Sequence, residues 1–198
     1  MLTTFNVTQP LDIVASDGLV SLREAIQEVN SLPAGPHTIN IADFPQDLDL
    51  TQGVLSITTP ESVRIVGPGT NQQTIYSAAS SIFEIGPGAT VSIEGLTLTG
   101  KTAGDGGAIR SSASDLTIEH VAFRNNDAAG NGGAIFSDGG NLTISNSTFA
   151  VNKAVNGGAV YVDGGSLTAS FPFIFDNEAT ANGGGIFLKD VTAAISGS

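Results

Sequence analysis

The apolar positions of this chain come in short alternating runs rather than at helical spacing. Leu116-Thr117-Ile118, Leu142-Thr143-Ile144 and Leu167-Thr168-Ala169 read apolar, polar, apolar, as a strand does with one face buried. Val91-Ser92-Ile93 precedes them and Val191-Thr192-Ala193 follows. Seven residues after each leading Leu stands a bulky apolar residue (Phe123, Phe149, Ile174), and three further on an asparagine (Asn126, Asn152, Asn177). A signature keeps the same register: Gly106-Gly107-Ala108-Ile109, Gly132-Gly133-Ala134-Ile135, Gly157-Gly158-Ala159-Val160 and Gly183-Gly184-Gly185-Ile186, in steps of 26, 25 and 26 residues. A unit of this length cannot bury its own apolar face, so copies must stack. Each circuit holds three short strands separated by turns. The pattern predicts an all-β fold, a right-handed parallel β-helix of about 25 residues per coil.

The start of the chain departs from this pattern. Residues 3–8 alternate like a strand, and Asp17-Gly18 is a turn signal. Leu22, Ala25, Ile26 and Val29 fall on one helical face, with Ser21 as N-cap and Glu24 completing a capping box. A helix is expected over about 21–30, placed as a cap that hides the first coil from water. Residues 37–100 read as irregular coils with strands near 38–41, 54–57, 63–66 and 81–85, turning at Gly67-Pro68-Gly69 and Gly86-Pro87-Gly88. With the cap over 1–36 and regular coils over 101–198, the whole chain is expected to form one domain.

Parallel pairing brings successive coils about 4.8 Å apart, so each residue sits above its counterpart one period earlier. Asn126, Asn152 and Asn177 then form one ladder at a turn, and Asp105, Asn131, Asn156 and Asn182 a second beside the glycines. Both are expected to be architectural.

Composition narrows the function classes. The 198 residues carry 19 acidic and 7 basic side chains, a formal charge of −12 that repels phosphate backbones and anionic membranes. Nucleic acid is therefore excluded as a partner, and no apolar run reaches membrane-spanning length. The absence of cysteine removes disulfides and thiolate metal sites and is compatible with an extracellular bacterial protein. No signal-peptide pattern follows Met1, so a trimmed leader or a C-terminal export signal is expected. Past Val191-Thr192-Ala193-Ala194-Ile195 no capping segment follows, which predicts either a longer native protein or end-to-end pairing.

The string Ser21-Leu22-Arg23-Glu24-Ala25-Ile26 resembles the SLREA-type cap that begins many bacterial secreted β-helix proteins, with Val20 where those proteins have cysteine. The pairing of Gly-Gly-Ala-Ile with Phe-x-x-Asn (Phe123 with Asn126, Phe149 with Asn152) is similar to the repeats of chlamydial polymorphic outer-membrane proteins. The last repeat departs, placing Ile174 in the Phe slot within Ser170-Phe171-Pro172-Phe173-Ile174-Phe175 and leaving the register of that strand open. The resemblance, over about residues 3–190, implies a surface or secreted location and, for several such proteins, adhesion.

Candidate chemistry is sparse. Arg110, Phe136, Tyr161 and Phe187 follow the four signatures, and alternation sends all four outward. Three rings would stack on the surface with a guanidinium over one end, either stiffening the solenoid or binding a glycan or surface protein. Asp138 and Asp163 occupy equivalent places in adjacent coils, about 5 Å apart, near the separation a retaining glycosidase needs, with Lys189 next. Both sit in Asp-Gly-Gly turns, where Asp serves the backbone, although a loosely held calcium is conceivable there. Glu119, His120, Arg124 and Asp127 form a second ionisable group, but neighbours on a strand such as Glu119 and His120 face opposite ways. His37 falls in a Pro-rich loop. Sequons at Asn6, Asn141 and Asn146 are read as chance. The expected role is a non-catalytic extracellular or cell-surface structural and adhesive module that needs no cofactor or metal. The alternatives are a polysaccharide lyase, glycoside hydrolase or carbohydrate-binding β-helix, and a unit that self-associates through its C-terminal edge strand.

Overall fold

The computed structural model of the protein describes residues 2–32 and 35–197. They form a right-handed parallel β-helix with a single short helix near the N-terminus. Three faces run along the axis, and every strand pairing is parallel. The first face stacks Leu55–Ile57, Phe83–Ile85, the opening halves of Ile109–Glu119 and Ile135–Ser145, then Val160–Asp163 and Ile186–Lys189. The second runs from Thr3–Val7 through His37–Ile41, Ser62–Val66 and Thr90–Glu94 to the closing halves of the same two long strands. It ends on Ser166–Ser170 and Thr192–Ser196. The third stacks Leu48–Leu50, Thr74–Ser77, Thr97–Thr102, Ala122–Arg124, Thr148–Ala150 and Phe173–Phe175.

The three-strand coil is present, with two refinements. The first two strands fuse in Ile109–Glu119 and Ile135–Ser145. A short fourth run (Asp127–Ala128, Lys153–Asn156, Glu178–Asn182) pairs at the turn that leads into the glycines. The glycine pair is demanded by that turn: Gly132 has φ +65°, and a Cβ on Gly133 would run into the Gly158 carbonyl oxygen one coil away. Inward columns fill the core, among them Ile109/Ile135/Val160, Leu116/Leu142/Leu167 and the stacked rings of Phe123 and Phe149, 4.7 Å apart and 5° from parallel.

The corner between the second and third faces adopts the left-handed conformation at Gly95, His120, Asn146, Phe171 and Gly197, one residue per coil. Side chains that ordinarily avoid positive φ are held there by the pairing on both sides.

The helix spans Leu22–Ser31 and carries the capping box: Glu24 N–H donates to Ser21 Oγ at 3.1 Å, and Ser21 N–H to Glu24 Oε2 at 2.8 Å. Its buried Leu22, Ala25, Ile26 and Val29 lie against the first coil's strands. Arg23 is also buried, which the amphipathic pattern does not predict. Its guanidinium donates to Asp12 at 2.6 and 3.1 Å and to the carbonyls of Gly53 and Val54, while Asp12 also accepts from Thr51 and Gln52 N–H at 2.7 Å each. One ion pair thus ties the cap loop, the helix and the first coil together.

His37 corrects an expectation. It opens the strand His37–Ile41 rather than lying in a loop, and it is 2% exposed with no hydrogen-bond partner on either ring nitrogen. Leu48–Leu50 and Thr74–Ser77 are strands without any counterpart in the sequence pattern, since no repeated signature marks them.

Candidate functional site

The outward column of the first face places Arg110, Phe136, Tyr161 and Phe187 in direct register, one per coil. The rings stack, with centroids 5.3 Å apart for Phe136–Tyr161 and 5.2 Å for Tyr161–Phe187, tilted by 11° and 15°. Two details differ from the expectation. Tyr161 is only 8% exposed, because its neighbours cover both of its faces. Arg110 is drawn away from Phe136, to Glu84 Oε1 in the preceding coil at 2.9 Å. Stacked in this way both faces of Tyr161 are taken by its neighbours, and Phe136 and Phe187 each have one face against it.

Asp138 and Asp163 are in register, and Lys189 continues the column. The Lys189 ammonium donates to Asp163 Oδ2 at 2.7 Å, and this bond together with the carboxylate's charge raises the lysine's pKa. One of the two carboxylates is therefore already bound to a cation of its own chain. The second ionisable group is not assembled as expected. Glu119 ends its strand and His120 takes the left-handed corner, so the two side chains approach to 3.6 Å instead of facing apart. Arg124 stands on the third face and Asp127 on the short fourth run.

The asparagine ladder is fully engaged. Asn126 and Asn152 are 0% exposed. Asn126 donates through N–H and Nδ2 to Asn152 Oδ1 at 3.0 and 2.8 Å, and Asn152 does the same to Asn177 at 2.9 and 2.8 Å. The second ladder is also present: Asn156 Nδ2 donates to Asn131 Oδ1 and Asn182 Nδ2 to Asn156 Oδ1, both at 2.8 Å, with Asn131 N–H on Asp105 Oδ1 at 2.7 Å.

A further column went unread in the sequence. Lys101, near the end of Thr97–Thr102, and Asp127, Lys153 and Glu178 of the fourth run alternate in sign from coil to coil and line an open depression of about 240 Å³. Lys153 and Glu178 approach to 3.5 Å. The signal was available in the alternation of charge at the coil period, but the strand carrying it is too short to show an apolar alternation.

Among the described residues no group of three or more His, Cys, Asp or Glu side chains is placed to hold a metal ion. Neither the curated proteins nor the solved structures compared with this chain give a match. The family model for the right-handed β-helix region matches residues 67–197, which takes in every coil that bears the glycine signature. With two thirds of its length matched and its coils paired in parallel throughout, the chain belongs to the right-handed β-helix family.

Proposed function

We propose that the protein is a non-catalytic structural and adhesive solenoid that works outside the cell or at the surface of a bacterium. The observation that carries this reading is how its polar chemistry is spent. Arg64 bonds Glu94, Arg110 bonds Glu84, Lys189 bonds Asp163, and the asparagines bond one another from coil to coil. Groups committed to holding neighbouring coils together are poorly placed for general acid–base work, which needs a carboxyl group free to exchange its proton with substrate. The high acidity and the lack of cysteine favour a surface or secreted setting.

On this reading the column Arg110–Phe136–Tyr161–Phe187 first braces the coils, with the half-exposed edges of Phe136 and Phe187 left for a glycan or surface protein. The test is incubation with pectin, alginate and other acidic polysaccharides, with and without calcium. No new reducing ends and no unsaturated products are expected. Turnover that disappears in Asp138→Asn or Asp163→Asn would replace this reading with the hydrolase or lyase one.

A further inference from the structure

Three asparagines of the chain stand directly before a Gly-Gly pair: Asn131, Asn156 and Asn182. The Asn-Gly bond is chemically fragile. The glycine nitrogen, once it gives up its proton, attacks the side-chain amide carbon; a C–N bond forms, a succinimide ring closes and ammonia leaves. Water then opens the ring at either carbonyl. One opening gives aspartate, and the other gives isoaspartate, in which the main chain runs through the side-chain methylene and gains an atom. Glycine makes the attack easiest, because no Cβ crowds its nitrogen. The turn leaves no alternative to glycine here. Gly132 and Gly157 have φ +65° and +61°, and a Cβ on either would meet the carbonyl oxygen three residues on, that of Ile135 or of Val160.

The coils that require this pair also disarm it. Gly132 N–H donates to the Asn156 carbonyl and Gly157 N–H to the Asn182 carbonyl, both at 2.9 Å. The amides are held as well: Asn131 Oδ1 accepts from Asn156 Nδ2, and Asn156 Oδ1 from Asn182 Nδ2, at 2.8 Å each. A nitrogen bonded in this way releases its proton only when the coil opens locally. We propose that Asn131 and Asn156 are modification sites that stay amides only while their coils are closed, so that opening of the solenoid converts them to aspartate or isoaspartate. Conversion also hinders closing again. An aspartate at 131 brings a second carboxylate within about 4.8 Å of Asp105, whose Oδ1 accepts from Asn131 N–H at 2.7 Å. An aspartate at 156 takes the Nδ2 donor away from Asn131 Oδ1 and faces that oxygen with another acceptor. Isoaspartate lengthens the main chain and puts the strand that follows out of register. None of this depends on the role proposed above, since a catalytic solenoid would carry the same liability.

The test is incubation of the 198-residue chain for days at mildly alkaline pH, folded or unfolded in guanidinium chloride, followed by tandem mass spectrometry. Loss of an amide changes the mass, so each asparagine reports separately. In denaturant Asn131 and Asn156 should convert well ahead of Asn141, which precedes Leu142. In the folded chain both should convert at least about tenfold more slowly than in denaturant. Asn152→Ala, which loosens the neighbouring ladder, should raise the folded rate at both sites in step with hydrogen exchange at Gly132 and Gly157 N–H. Asn131→Asp and Asn156→Asp reproduce one product, and each should lower the thermal midpoint. Conversion in the folded chain as fast as in denaturant would overturn the proposal. So would conversion in denaturant no faster than at Asn141, or a folded rate indifferent to Asn152→Ala. An unchanged midpoint in both aspartate variants would overturn the hindrance to closing.

Discussion

Around Arg23 every polar contact is made once, whereas the contacts around Asn152 recur along the axis, Asn126, Asn152 and Asn177 each donating through Nδ2 to a carbonyl of the coil before. The guanidinium of Arg23 reaches Asp12, Gly53 and Val54, up to 31 positions away from it, and nothing else among the described residues duplicates the arrangement. Asn152 accepts from Asn126 and donates to Asn177 in a pattern its neighbours share. A solenoid's stability is a sum of coil and interface contributions, so repetition distributes any loss. The cap concentrates it. The end that must shield the first coil therefore rests on a few contacts with no substitutes, and that asymmetry can be tested by breaking each region in turn.

The largest effect is expected at the cap. Arg23→Leu leaves the Asp12 carboxylate buried without its partner and should cost about 3–5 kcal/mol in chemical denaturation. Hydrogen exchange should rise over residues 8–32 while the strands from Ile109 onward keep their protection; uniform loss along the whole chain would erase the contrast between the two regions. Acid probes the same contact. Burial works against the Asp12 charge, but the Arg23 guanidinium and the N–H groups of Gln52 and Thr51 outweigh it and hold its pKa below the ordinary 3.8. A depressed folded value means that the stabilisation is complete above the ordinary one and is lost as pH falls through the folded one. The gap between wild type and Arg23→Leu should accordingly narrow in acid.

Next comes Asn152→Ala, which takes the acceptor from the N–H and Nδ2 of Asn126 in a dry turn. A loss of about 2–3 kcal/mol is expected, spread over the coils on either side. Tyr161→Ala should cost about 1 kcal/mol or somewhat more, from two lost stacking contacts. If it instead leaves the thermal midpoint unchanged and abolishes binding to a glycan or surface protein, the column serves recognition rather than bracing. The smallest change is expected for His37→Leu, which removes two unpartnered buried nitrogens and should be neutral or stabilising by less than about 1 kcal/mol. A clear destabilisation would mean that the imidazole serves the first coil in some other way.

How far the sequence could be read follows the same division. Ile109, Ile135 and Val160, or Asn126 and Asn152, return at a constant period, and repetition turns a weak local signal into a decisive one. The helix was legible because capping boxes and amphipathic faces are local. The partner of Arg23 was not, because Asp12 is brought to it by a loop whose course no short-range pattern encodes. Leu48–Leu50 and Thr74–Ser77 were missed for want of a repeat. The corner at His120 and Phe171 was hidden for the opposite reason: flanking pairing imposes a backbone conformation that these side chains do not advertise. At the candidate site the column itself was legible, but the burial of Tyr161 and the turn of Arg110 toward Glu84 were not. Both depend on what lies in the coil before and after.

The two amide ladders run in opposite senses. Asn126 and Asn152 donate toward the C-terminal end, while Asn182 and Asn156 donate toward the N-terminal end. A coil of the first ladder therefore leaves its asparagine N–H and one of its two Nδ2 protons open until the following coil supplies an acceptor, the other Nδ2 proton being bonded to a carbonyl of the coil before, and a coil of the second arrives already satisfied by the one before. For a chain that emerges N-terminus first, the second ladder lets each new coil dock on finished structure and the first makes it complete its predecessor. Within the coils that carry the ladders, growth from the capped end would thus leave a single layer with open asparagine donors at the tip. An interruption within these coils would leave the asparagine donors beneath that layer bonded.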